Sequence, residues 1–92
     1  MNLRFEWDDA KEEINISKHG LDFKTASFVF LDENRLELYD IVHSTPDEDR
    51  YITIGIVVDI LTVVYTVRTD AIRIISARRA TKKEAERYLY GD

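Results

Sequence analysis

Four segments rich in β-branched and aromatic residues follow one another between residues 36 and 77 with little chain between them. They cover residues 36–42, 50–58, 60–68 and 71–77, and each is predicted to be a strand. Strands joined by such short connections pair antiparallel, because a parallel pair needs a crossover of a dozen or more residues. The longest connection, residues 43–49, is a turn or loop built from Ser, Pro and Asp residues. The centre of the chain is therefore predicted to form an antiparallel meander.

A short strand and two helices are predicted before this meander, and one helix after it. Residues 3–7 form the first strand, and a helix runs from an N-cap at Asp8 or Asp9 to the stop signal Gly20. A second helix covers about 22–30, and Thr81 with Glu84 forms the capping box of the last helix. The order β-α-α-β-β-β-β-α predicts one α+β domain over residues 1–92, with an antiparallel sheet of about four to five strands.

The composition excludes several classes of protein. With 45% hydrophobic and 34% charged residues among 92, the chain is an ordinary globular sequence rather than a disordered one. It has no cysteine, which removes disulfides and thiol chemistry. The first residues contain no apolar signal segment, and the apolar stretch 52–67 is too interrupted to span a bilayer. We expect a cytoplasmic protein without a membrane partner.

The charge is distributed unevenly along the chain. Residues 1–67 carry six basic and fourteen acidic side chains, whereas residues 68–83 carry six basic side chains and one acidic one. A basic block in a chain of net charge −5 indicates a polyanion or an acidic protein as partner. No helix-turn-helix pattern accompanies it, so we expect DNA to be bound only through a partner protein.

The arginines of this block are the strongest candidates for a functional site, because guanidinium groups bind phosphate in a bidentate manner and keep their charge. Arg68 and Arg78 are predicted to be catalytic, at the ends of two strands. Strict alternation places Arg73 on the opposite face of its strand from Arg78, so these side chains share a face only if the strand twists or bulges. The alternative is that some of them cap strand ends or pair with Glu84 and Glu86.

No metal or cofactor site is predicted, because the two histidines lie on different elements without the spacing of ligands. His19 is the candidate proton donor or acceptor, since an imidazole serves both roles near neutral pH. Its alternative role is to stabilise the C-terminal end of its helix. Glu48, beside Arg50, is a second candidate base, or else an exposed charge in a turn. The further candidates for binding a polyanion are Arg50, Arg73, Arg79, Lys18 and Lys82.

Three segments, taken together, resemble the BrnT family of toxins. They are FEWD at 5–8 followed by Lys11, Asn15 and KHG at 18–20, EDRYI at 48–52, and VVYT at 63–66 with IRIISARRAT at 72–81. The resemblance covers about residues 5–88. Three positions depart from the family pattern: Arg79 replaces a lysine, Ile56 replaces a polar or basic residue, and residues 30–33 lack a proline-containing turn.

The resemblance implies a RelE-like fold, RNA cleavage as the toxic activity, and neutralisation by an antitoxin of the BrnA type. Since no metal cluster is visible, the expected reaction is a metal-independent attack of the ribose 2′-hydroxyl on its own phosphate. The alternative is a non-catalytic binding module whose basic patch docks an acidic partner. Either function would use the basic block, which we expect the antitoxin to cover.

Overall fold

Four antiparallel strands form the centre of the fold, as the short connections predict. In a computed structural model that describes residues 3–91, the order is β1 (Phe5–Glu6), α1 (Asp9–His19), α2 (Phe23–Ser27), a 3₁₀ helix (Phe28–Leu31), β2 (Leu36–Tyr39), β3 (Arg50–Ile56), β4 (Ile60–Arg68), β5 (Ala71–Arg79) and α3 (Lys82–Tyr90). The strands are arranged β1-β5-β4-β3-β2. The predicted α+β class and element order are confirmed. None of the helices within 3–91 is long and apolar enough to cross a membrane.

The first strand joins the sheet in a way that the antiparallel prediction did not include. β1 pairs with β5 in parallel, with Phe5 opposite Ile72 and Glu6 opposite Arg73. The chain between β1 and β5, residues 7–70, contains both helices and the first three strands of the meander, and it provides the long connection that a parallel pair needs. The five-stranded sheet is therefore mixed, with one short parallel pair at its edge.

The helix ends lie where the sequence places their capping residues. The Asp8 side chain accepts hydrogen bonds from the backbone of Ala10 and Lys11, and Gly20 ends α1 in the left-handed region at φ 68°. Thr81 and Glu84 form the complete capping box of α3. Local sequence signals thus determine the bounds of the first and last helices.

Other bounds differ from the prediction. The predicted second helix, 22–30, is a short α-helix that continues as the 3₁₀ helix. β2 ends at Tyr39 rather than at residue 42, because the buried Asp40 carboxylate accepts the backbone N–H of His43 and starts a turn. β5 extends two residues beyond its predicted end and includes Arg78 and Arg79.

The core lies between one face of the sheet and the segment containing α2 and the 3₁₀ helix. Phe23, Ala26 and Val29 are fully buried there against Val63 of β4 and Ala77 of β5. Tyr65 packs in the same core, its ring 5.0 Å from that of Phe30 and 5.5 Å from that of Tyr51. Because Tyr65 faces this core, its role is in packing.

A buried amide ties α1 to the outer edge of β5, beyond the point where β1 stops pairing. Asn15 donates hydrogen bonds to the carbonyl oxygens of Leu21 and Ala77, each over 2.9 Å, and accepts one from the Ala77 N–H at 3.0 Å. The side chain thus occupies both backbone groups of Ala77, as a neighbouring strand would. This contact fixes the strand segment that leads into Arg78.

Candidate active site

A β-bulge in β5 brings the predicted arginines onto one face of the sheet. Val64 of β4 faces Ser76, whereas Tyr65 faces Ile74, so Ile75 is an extra residue in β5. Strict alternation would place Arg73 and Arg78 on opposite faces unless the strand twists or bulges, and the bulge is the exception that applies in this chain. The bulge reverses the alternation between them, which puts both on the face opposite the α2 core.

Three cross-strand rows on this face define where the arginines lie. From one end to the other, the rows are Arg50, Thr66 and Arg73, then Ile52, Val64 and Ser76, and last Ile54, Thr62 and Arg78. Arg68 lies beyond the first row, six residues along β4 from Thr62, which faces Arg78. At a rise of about 3.3 Å per residue, the backbones of Arg68 and Arg78 are roughly 20 Å apart. These two arginines therefore cannot grip the same phosphate.

Between the first and last rows the sheet face is an open groove of about 380 Å³. The α3 helix covers the last row, where Ile54 and Thr62 are buried, and the loop after β2 borders the other side. The groove floor is Ile52 and Val64, while polar and charged side chains line its walls. Its lining consists of Asp40, Val42, His43, Arg50, Ile52, Val64, Ile75, Ser76 and Arg78.

His43, rather than the predicted His19, is the histidine that lines the groove. Its Nδ1 atom lies 2.9 Å from Oδ2 of Asp40, whose side chain is only 7% exposed. An ionised carboxylate only accepts hydrogen bonds, so a bond to it requires a proton on Nδ1, and in the neutral imidazole Nε2 is then an acceptor. The sequence signal for this pair was Asp40 three residues before His43 at the start of a turn, and the sequence analysis missed it.

Every arginine of the sheet face is paired with a carboxylate in the isolated chain. Glu48 accepts hydrogen bonds from Arg50 at 2.9 Å and from Arg68 at 3.3 Å. Arg73 pairs with Glu6 at 2.8 Å. Arg68 and Arg73 of the basic block are thus paired with acidic residues that are distant in sequence, which composition by segment could not reveal.

The tightest of these pairs joins Arg78 to α3. Its Nη1 and Nη2 atoms donate to the two carboxylate oxygens of Glu84 at 2.6 and 3.0 Å. These hydrogen bonds lower the pKa of Glu84 to about 2 from an ordinary value of 4.5, and they raise the pKa of Arg78. The alternative role considered for this arginine, an ion pair with Glu84, is therefore present, while Arg78 still lines the groove.

The remaining predicted residues lie outside the groove. His19 and Lys18 are exposed at the C-terminal end of α1, and Lys82 is exposed at the start of α3. Arg79 pairs with Asp59 at 3.2 Å near the β3–β4 hairpin. Glu48 reaches the groove only through Arg50, whose hydrogen bond lowers the pKa of the Glu48 carboxyl. Among residues 3–91 no three His, Cys, Asp or Glu side chains are grouped to hold a metal ion.

Comparison with known proteins identifies the family. The model of the family described as the ribonuclease toxin BrnT of type II toxin–antitoxin systems matches residues 7–84. This chain belongs to the BrnT family. The prediction made from the three sequence segments is thereby confirmed, and the matched range contains every residue that lines the groove.

A solved structure supports the same assignment. The crystal structure of the Brucella abortus ribonuclease toxin BrnT is 28% identical to this chain, with a TM-score of 0.61. The alignment covers 88% of this chain and 100% of the Brucella protein. No curated protein sequence matches the chain. The fold described above is therefore the fold of a BrnT toxin.

Proposed function

We propose that this BrnT-family chain is a metal-independent endoribonuclease and that the groove is its active site. The observation that carries the proposal is that one face of the sheet combines Arg50, Arg78 and the His43–Asp40 pair around an open groove. Cations for a phosphate and an oriented imidazole are the groups that cleavage by an internal hydroxyl requires. The proposal also rests on the ribonuclease described for the family.

In this mechanism Nε2 of His43 accepts the proton of the ribose 2′-hydroxyl. The 2′-oxygen then bonds to the adjacent phosphorus while the bond from phosphorus to the 5′-oxygen breaks. The leaving 5′-oxygen takes up a proton from solvent, and the other product carries a 2′,3′-cyclic phosphate. Asp40 holds the imidazole in the required tautomer, and Arg50 and Arg78 stabilise the negative charge that develops on the phosphate oxygens.

The proposal changes the roles of the residues predicted from the sequence. Glu48 becomes an ion-pair partner, because a carboxylate whose pKa is lowered by Arg50 is a weaker base. Arg68 and Arg73 are assigned to phosphates flanking the cleaved one, at the far end of the same sheet face. His19 has no role in the proposed groove and remains the alternative proton donor or acceptor, which the experiment below tests directly.

The test is cleavage of a single-stranded RNA by the purified chain, with and without EDTA. We expect activity that EDTA does not change and products with cyclic phosphate ends. His43→Ala and Arg78→Ala should each reduce the rate by about a hundredfold or more, the size of effect seen for one preorganised charge-stabilising donor. Arg78→Lys should restore activity only partly, since an ammonium group cannot make the bidentate contact.

Controls separate the groove from the sequence-derived alternatives. Arg4→Ala removes an arginine of an exposed ion pair outside the groove, with Asp70, and should leave the rate unchanged. His19→Ala and Glu48→Ala compare the earlier candidates, and Asp40→Asn tests the orientation of His43. If His43→Ala retains full activity while His19→Ala or Glu48→Ala abolishes it, the proton transfer does not occur in the groove.

For the partner, we propose a BrnA-type antitoxin that covers the groove and the basic residues around it. We also propose that operator DNA is bound only through this antitoxin. The type II system described for the family supports a protein antitoxin. In hydrogen exchange, residues 68–83 should become protected in the complex. Persistent fast exchange of the exposed amides there, in a complex that inhibits cleavage, would show that the antitoxin acts elsewhere.

A second candidate function is a non-catalytic module that docks an acidic protein. The ion pairs favour it, because each arginine already binds a protein carboxylate that a partner's carboxylate could replace. This candidate predicts no RNA cleavage by the wild-type chain, together with a loss of partner affinity in Arg78→Ala. Cleavage by wild-type protein that is lost in His43→Ala would exclude it.

A further inference from the structure

The carboxylate of Glu84 makes more hydrogen bonds than a helix cap requires. In a capping box it needs to reach only the backbone N–H of Thr81, which it accepts at 2.8 Å. The same oxygen, Oε1, also accepts from Thr62 Oγ1 at 3.0 Å and from Arg78 Nη1 at 2.6 Å, while Oε2 accepts from Arg78 Nη2. The additional bonds all run to side chains of the sheet face beside the groove.

These contacts leave Arg78 with one defined orientation. Two nitrogen atoms of its guanidinium face Glu84, and only a long contact of 3.4 Å to the Arg79 carbonyl is added. Among residues 3–91, Nε–H of Arg78 has no hydrogen-bond partner, so this N–H and the outer N–H of Nη2 are left for a ligand in the groove. A guanidinium that Glu84 already holds in place can donate to a ligand without a further loss of side-chain conformational entropy.

The support for Glu84 is itself fixed. Thr62 is buried to 1% exposure, its hydroxyl donates to this carboxylate, and the N-terminal turn of α3 carries the residue. By contrast, Glu48 lies in the turn between β2 and β3 and is shared by two arginines. Arg78 is therefore the arginine of the groove whose orientation is determined by the helix docked on the sheet.

We infer that Glu84 is a positioning residue for RNA cleavage, which aims the Arg78 guanidinium at the reacting phosphate while it caps α3. The inference rests on the proposed function. It assigns α3 a part in the active site, because the start of this helix and the orientation of a cationic donor depend on one carboxylate. Preorganised donors stabilise charge without reorganisation during the reaction, whereas a misplaced one loses most of that effect.

Glu84→Gln tests the inference with little change in shape. The Gln amide can still accept from Thr81 and Thr62, but its NH₂ group faces a donor of Arg78 and its charge is gone. We expect cleavage to fall roughly 10- to 100-fold, mainly in kcat, as for other small misplacements of a catalytic group. In an Arg78→Ala background the same change should have no further effect on the rate.

Two controls separate positioning from helix stability and from charge. Thr81→Ala removes the other half of the capping box without touching Arg78, and Glu86→Gln removes an exposed charge from the same helix. Both should cleave within about threefold of wild type, since neither contacts the groove. Thr81→Ala should unfold at a lower urea concentration, because it loses the side-chain cap of α3. If Glu84→Gln still lowers the rate in the Arg78→Ala background, its effect runs through α3 and the inference fails.

A readout independent of activity is the Nη–H signal of Arg78 in ¹⁵N NMR spectra, because the Nη atoms donate to Glu84. It should be sharp and displaced from the exposed arginines in wild type, Thr81→Ala and Glu86→Gln, and should move to their position in Glu84→Gln. If wild-type protein cleaves no RNA, the proposed function fails and this signal alone decides whether Glu84 orients Arg78. An unchanged signal in Glu84→Gln, or unchanged cleavage by that variant, overturns the inference.

Discussion

Replacing Asn15 by Leu should destabilise the fold far more than its position on a charged helix suggests. The substitution nearly preserves volume but removes three hydrogen bonds, to the Leu21 carbonyl and to both backbone groups of Ala77. Asn15 is only 5% exposed, so water cannot replace it at these groups. Each orphaned buried group costs about 1–3 kcal/mol, and burial of the leucine offsets part of that.

We therefore expect the free energy of unfolding to fall by about 3 kcal/mol or more, a large share of the roughly 5–15 kcal/mol of an ordinary domain. Urea unfolding followed by circular dichroism measures it. Ser17→Leu, at an exposed site on the same helix, is the matched control and should change stability by less than about 0.5 kcal/mol.

A second variant tests the assignment of donors and acceptors. Asn15→Asp keeps an acceptor for the Ala77 N–H but faces two carbonyl oxygens with a negative charge. Its deficit relative to wild type should be largest at neutral pH and shrink in acid, when the carboxyl takes up a proton and can donate. A loss below about 1 kcal/mol in Asn15→Leu would refute the reasoning, because the Ala77 groups would then have other partners.

Three further outcomes follow from the structure. Gly55→Ala should lower the free energy of unfolding in urea by about 1–3 kcal/mol, since the new Cβ would lie 2.7 Å from Cγ2 of Val29 and 3.2 Å from Cβ of Arg35. A loss within experimental error would show that the 3₁₀ helix shifts freely. Glu84 has a folded-state pKa below its ordinary value, so the stability that it contributes is present above about pH 4.5 and is lost as the pH falls toward 2. The free energy of unfolding of Glu84→Gln should therefore change less with pH in that window. Parallel profiles of the variant and the wild type would contradict the ion pair of Glu84 with Arg78. The logarithm of the RNA affinity should fall with the logarithm of the salt concentration less steeply than the slope of about −0.7 per phosphate contact expected for unpaired arginines. The reason is that each guanidinium exchanges a protein carboxylate for a phosphate. A slope of about −0.7 for every arginine that contacts RNA would mean that the ion pairs are open in solution.

Much of the fold could be read from the sequence, because the deciding signals are local. Asp8, Gly20 and the Thr81 capping box determine helix ends within one turn, and short connections force the meander. The parallel pairing of β1 could not be read, since two residues carry no signal that distinguishes one sheet edge from the other.

The proposed site shares its arginine chemistry with the sequence prediction and differs from it in several members. The predicted arginines Arg50 and Arg78 line the groove, but the ion pair of Arg78 with Glu84 and the position of Arg50 depend on cross-strand register. His43 was not predicted because its proposed role follows from a turn that buries Asp40, whereas His19 carried a clear helix-end signal. Contacts between residues distant in sequence, rather than residue types, separate a groove residue from an exposed one.

The extra residue in β5 has a consequence for how relatives of this chain should be aligned. Deleting Ile75 would restore plain alternation and still leave Arg73 and Arg78 on the same face, because the bulge accounts for one added position. Two chains of different length in this strand can therefore present the same surface. A one-residue gap between positions 74 and 76 then corresponds to an insertion that the bulge accommodates. An alignment that does not allow this gap would match the arginines to residues on the opposite face of the strand.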